Sequence, residues 1–96
     1  MIKVFKLING EELISEVKTN SDGTYTLESP ASIIMQQTER GMGVGVAPYM
    51  PYAVGNITLN NTAVAAVADA DPKMENEYRR VFGSGIQVVP AGTIVT

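Results

Sequence analysis

The chain has no cysteine and no histidine among its 96 residues. Without them there is no disulfide framework of the kind that holds small secreted domains together, no Cys or His ligand for zinc, no imidazole general base and no Ser-His-Asp triad. Basic residues are also scarce: seven Lys and Arg against ten Asp and Glu give a net charge of -3. A chain with this balance repels a polyphosphate as a whole, so contact with nucleic acid has to be local. No apolar run approaches the roughly eighteen residues of a membrane span. Lys3 and Lys6 lie inside an alternating segment instead of a signal peptide. The expectation is a soluble, cytoplasmic protein without a membrane partner.

A single domain of this size hides only about 60 to 65% of its unfolded surface, so one copy alone is marginal. With no disulfide or metal clip, burial between subunits is the remaining source of stability.

The stretch Ile2 to Gln37 organises the rest. Asn9-Gly10 and Asp22-Gly23 separate three runs whose apolar residues fall at every second position. This is the pattern of a three-stranded antiparallel meander with one buried face. In the first run Ile2, Val4, Phe5 and Leu7 supply the apolar positions. In the second, Leu13, Ser15 and Val17 share one face, and Glu12, Ile14, Glu16 and Lys18 the other. Ser15, small in the middle of an apolar face, suits a strand that bends over itself. Tyr25 and Leu27 share a face of the third run, and Pro30 marks a bulge in what reads as one long kinked strand to Gln37.

Thr38 to Gly45 reads as a glycine-rich connection. Its glycines fit neither a dinucleotide fingerprint nor a Walker loop, and no Lys follows. Val44 to Tyr52 is a fourth apolar run interrupted by Pro48 and Pro51. The PxxP spacing matches a ligand for an aromatic-lined groove, and an edge strand with a bend accounts for the same residues. Ile57, Leu59, Val64 and Val67 frame two short strands about the turn Asn60-Asn61-Thr62.

Asp69 and Asp71 offer too few oxygens for calcium or magnesium, whereas Asp71 followed by Pro72 is a helix start. Met74, Tyr78, Val81 and Phe82 recur on one face, so a helix is expected over 72–82, stopped by Gly83 and Gly85. Arg79 and Arg80 have Glu75 and Glu77 within pairing distance along it. Residues 86–96 form an almost uncharged apolar tail that needs a surface to pack on, either its own domain or a neighbouring subunit. Glu11 and Glu12 are adjacent strand residues pointing to opposite faces, so they do not converge on one substrate, and no enzyme activity is expected.

Leu7-Ile8-Asn9-Gly10-Glu11-Glu12-Leu13-Ile14-Ser15-Glu16-Val17 resembles the first Sm motif of the Sm/LSm family. Ile57-Thr58-Leu59-Asn60-Asn61-Thr62-Ala63-Val64-Ala65-Ala66-Val67 resembles the second. The added helix, the long connection before Ile57 and the tail are more similar to phage-encoded Sm-like proteins than to eukaryotic or bacterial members. The resemblance implies a strongly bent five-stranded antiparallel SH3-like barrel in residues 1–70, with the helix segment in 71–85 and the tail in 86–96. It further implies a homo-oligomeric ring of about five to seven copies, in the host cytoplasm if the protein is phage-encoded.

The family holds RNA bases at the central pore with an Asp-x-x-x-Asn type loop and an Arg-Gly turn. The matching positions are the loop from Asn20 to Tyr25 and the turn Asn60-Asn61, with Asn60 where the family has Arg and Asn61 where it has Gly. The resemblance thus implies single-stranded RNA bound by Asn20, Asp22, Asn60 and Asn61 at base edges and by Tyr25 as a stacking face, with no cofactor and no metal. Turn geometry alone selects the same polar residue types, so a structural ring without nucleic acid is the alternative.

Overall fold

The computed structural model describes residues 1–82. The fold is mainly β: six antiparallel strands and one helix, with strands β1 (Ile2–Leu7), β2 (Glu12–Thr19), β3 (Tyr25–Thr38), β4 (Gly41–Pro48), β5 (Ile57–Leu59) and β6 (Val64–Asp69), followed by helix α1 (Pro72–Phe82). A short 3-10 turn at Asn61–Ala63 joins β5 to β6. The strand path is β4-β3-β2-β1-β6, and β5 pairs with the start of β3.

The meander is present, and both its turns use glycine at positive φ: Gly10 at 94° and Gly23 at 90°. Strand β3 is continuous over 14 residues and, besides β2, serves two partners, Tyr25–Leu27 lying against β5 and Ala31–Thr38 against β4. Between the two sections Ser29 takes φ 50° immediately before Pro30. The bend therefore falls where proline removes a ladder donor. Ser15 lies opposite this bend, at a break in the β2–β3 register. It is fully buried, with its hydroxyl 2.9 Å from both the Glu16 and Glu28 carbonyls.

Three expectations need correction. Among the described residues the strand count is six instead of five, because residues 49–56 separate β4 from β5. Thr38 to Gly45 is no loose connection: β4 begins at Gly41, and its residues pair one for one with β3 from Thr38 back to Ala31. Only Glu39 and Arg40 turn the chain, since Gly41 at φ 110° lets the return strand start at once. Finally, the sheet is buried on two faces instead of one.

Phe5, Leu7, Leu13, Val17 and Leu27 form the first core, flanked by Tyr25, Tyr49, Ile57, Leu59 and Val64. Ile2, Ile14, Ala31 and Tyr78 form the second, on the opposite face, flanked by Val4, Ile33, Val46, Ala70, Met74 and Phe82. Ile14, which alternation assigns to the charged side of β2, is fully buried because α1 lies over it.

Helix α1 spans the expected residues. The Met74 backbone N–H donates to Asp71 Oδ1 at 2.8 Å, which satisfies one of the unpaired donors of the first turn. Arg79 pairs with Glu75 at 3.0 Å and Arg80 with Glu77 at 2.5 Å, as their spacing predicts. The proposed Gly83 and Gly85 stop and the 86–96 tail lie outside the described residues. The PxxP reading does not hold: Met50 sits at φ 53°, whereas the extended proline helix needs negative φ at every residue.

Candidate functional site

The loop after β2 is built from its own side chains. The Asn20 backbone N–H donates to the Thr24 carbonyl at 2.8 Å, and the Asn20 side-chain amide lies 3.0 Å from the hydroxyls of both Thr24 and Thr26. Asp22 Oδ1 accepts from the Thr24 N–H at 3.0 Å and from the Thr24 hydroxyl at 2.7 Å. These bonds from Thr24 hold the Asp22 carboxyl below its ordinary value, so it is ionised at neutral pH.

The second loop arrives beside the first. Tyr25 pairs with Leu59, so the start of β3 and the end of β5 are neighbours, and the residues just beyond each fall together. The contact is close. A Cβ placed on Gly23 would stand 2.9 Å from Asn61 Nδ2, so the Asn61 amide occupies space that any other residue at position 23 would claim.

Asn60 precedes the 3-10 turn without capping it through its side chain, and its carbonyl accepts from the Ala63 N–H at 3.1 Å. Asn60 and Asn61 are both exposed.

Of the five residues singled out by sequence, Asn20, Asp22 and Asn61 belong to one surface patch, with Asn60 adjoining it. Tyr25 lies at its base with its ring edge-on to Phe5, centroids 5.1 Å apart, and packs against the first core. Sequence reasoning overlooked Thr24 and Thr26, which hold Asn20 in place, and Gly23, which admits Asn61. The Asp-Gly turn was the available signal for Gly23; nothing in the sequence places Asn61 on it.

The other polar groups raised by the sequence have structural partners. Asp69 accepts from Lys3 Nζ at 2.8 Å, Asp71 caps α1, and Glu12 lies 3.4 Å from Lys6. Among the described residues no cluster of three or more Asp, Glu, His or Cys side chains is arranged to hold a metal, and no helix is long and apolar enough to cross a membrane. No protein-family model matches the chain, and no curated protein matches it in sequence.

Proposed function

We propose that this chain is a ring-forming Sm-like protein that holds single-stranded RNA at its central opening, using Asn20, Asp22, Asn60 and Asn61 against base edges, with Tyr25 beneath them. The observation carrying this reading is the meeting of two loops far apart in sequence, Asn20–Thr24 and Asn60–Asn61, with Asn61 packed onto Gly23. These are the two loops that the Sm resemblance assigns to RNA.

Edge-to-edge assembly is supported separately. Among the described residues the strand path ends in β4 and β6, each paired on one side only. Strand β4 carries no charge, and β6 carries only Asp69, already matched by Lys3. Edge strands are normally blunted by charge, proline or bulges; charge is sparse on these two, while β6 is bulged between Val64 and Ala66 and β4 ends at Pro48.

The chemistry favours bases over phosphates. Neither loop holds Lys or Arg, and Asp22 is an anion that accepts hydrogen bonds from exocyclic amino groups while repelling phosphate. That same carboxylate favours the second reading, a structural or protein-interaction ring without nucleic acid.

Light scattering on the purified protein is expected to give a mass of several copies; a single-chain mass would sink the assembly. Fluorescence titration with short U-rich and A-rich RNA then separates the two readings. Saturable binding at low salt, weakened about tenfold by Asn61→Ala, is the expected result for loss of one to two hydrogen bonds. No binding at low salt leaves the structural ring.

A further inference from the structure

The turn between β1 and β2 carries a reactive pair outside the two loops of the candidate site. Asn9 is the only asparagine of the chain that glycine follows; the others precede Ser21, Ile57, Asn61, Thr62 and Glu77. Asparagine is among the chemically labile side chains. Its amide carbon lies within reach of the next residue's backbone nitrogen, and a five-membered ring closes when that nitrogen attacks. A side chain on the following residue hinders the attack, and glycine has none. Here the approach is open: Asn9 and Gly10 are both exposed, and nothing lies within 4 Å of the place a Cβ on Gly10 would take.

The folded turn holds both reacting groups. The Gly10 N–H donates to the Leu7 carbonyl at 2.9 Å, which engages the nucleophile. Asn9 Oδ1 accepts from the Glu11 N–H at 2.9 Å, and Asn9 Nδ2 donates to Glu11 Oε1 at 2.9 Å. One residue thus grips the amide at both ends. The Glu11 side chain also opposes the step electrostatically, because ring closure builds negative charge on the Gly10 nitrogen and then on Asn9 Oδ1, beside a carboxylate. Asp22-Gly23 is the comparable pair in the next turn. There ring closure has to expel a hydroxyl from a protonated carboxyl, and the bonds from Thr24 keep Asp22 ionised.

We infer that Asn9 is a site of spontaneous deamidation and that the Glu11 side chain, by holding the Asn9 amide, sets its rate in the folded protein. Solvent base takes the Gly10 N–H proton, the nitrogen bonds to Asn9 Cγ, and the Cγ–Nδ2 bond breaks with Nδ2 leaving as ammonia. Water then opens the succinimide at either carbonyl, giving aspartate or isoaspartate. The sum is amide plus water to acid plus ammonia, with no oxidant and no cofactor. Both products add a negative charge to a chain already at -3 and set it against Glu11. Isoaspartate also puts an extra carbon into the main chain of a turn closed by the Leu7 N–H on the Glu11 carbonyl at 2.8 Å. In the same turn the Ile8 N–H donates to the Ala63 carbonyl at 2.9 Å, so the change reaches the 3-10 turn that carries Asn61. Neither RNA binding nor assembly enters this chemistry, so it stands or falls apart from the function proposed above.

The purified protein, aged at mildly alkaline pH, is mapped by peptide mass spectrometry, with enzymatic methylation to mark isoaspartate. Conversion is expected at Asn9 ahead of every other asparagine. Glu11→Ala should speed it about two- to tenfold, the range for losing one hydrogen bond, and Glu11→Gln, which keeps an acceptor without the charge, should fall between the two. Glu12→Ala is the control: it removes the neighbouring carboxylate, which pairs with Lys6, and should age like the parent. In concentrated urea the turn is gone and all four rates should converge. First conversion at another asparagine, or folded Glu11→Ala ageing no faster than the parent, would overturn the inference. Equal acceleration by Glu12→Ala, or a Glu11→Ala effect that persists undiminished in urea, would do the same.

Discussion

The hydroxyl of Tyr78 joins three backbone groups around the bend of the sheet. It accepts from the Glu16 N–H at 3.2 Å and lies 2.8 Å and 3.0 Å from the Glu28 and Ser29 carbonyls, to which it donates. Tyr78→Phe keeps the ring in the second core but strands these groups, so a loss of about 1–3 kcal/mol is expected in urea denaturation. Burial pushes the Tyr78 hydroxyl above its ordinary value of 10, so the unfolded chain releases the proton first. Stability is then full below pH 10 and falls as pH rises through the folded-state value; the Phe variant should show a flatter alkaline limb.

Gly23 and Gly10 provide a paired test at the same scale. Both hold φ near 90°, but only Gly23 faces a neighbour, since nothing lies within 4 Å of a Cβ at Gly10. Gly10→Ala is expected to cost about 1–2 kcal/mol from backbone strain alone. Gly23→Ala should cost more and shift the Asn61 amide resonances, which heteronuclear NMR would record.

Among the elements, α1 was the most legible in the sequence. Asp71-Pro72 marks its start, and Met74, Tyr78 and Phe82 its packed stripe, because capping and periodicity are local properties; Val81, expected on the same stripe, is 40% exposed. Asp71→Ala removes the bond to Met74 N–H and should lower stability by about 0.5–2 kcal/mol, measured by thermal unfolding. The meander and the bend at Pro30 were legible for the same reason. Strand β4 was not, since its glycines at 41, 43 and 45 look like a loop until β3 supplies a partner for each residue. Gly45 also packs closely: a Cβ there would lie 3.1 Å from the Gln36 side chain. Ile14 was assigned to the wrong environment because alternation along one strand cannot reveal that a helix some sixty residues later will cover its other face. In the candidate site the residue types were legible and their convergence was not, because the contact between Asn61 and Gly23 depends on the pairing of β3 with β5.

For the whole molecule, small size and open edges point the same way. A chain with two modest cores and, among the described residues, two terminal strands paired on one side would gain stability by joining copies. Unfolding of the assembled protein is therefore expected to depend on concentration, with the midpoint rising by a few degrees over a hundredfold increase; a midpoint independent of concentration would argue for self-sufficient single chains. The absence of Lys and Arg from the two loops has its own consequence for RNA. Binding through base edges should change little between low and moderate salt, whereas phosphate contacts would give a steep decline in the same titration.

Strand β1 lies at the start of the chain yet is clasped between β2 and β6, and the Ala70 N–H reaches back to the Ile2 carbonyl at 3.1 Å. On the ribosome the first strand therefore emerges long before one of its flanking partners has been translated. The hairpin of β1 and β2 must wait, with Ile2 and Ile14 unsheltered, until Tyr78 leaves the exit tunnel. Such non-local closure belongs to the slower, millisecond-to-second class of folding reactions.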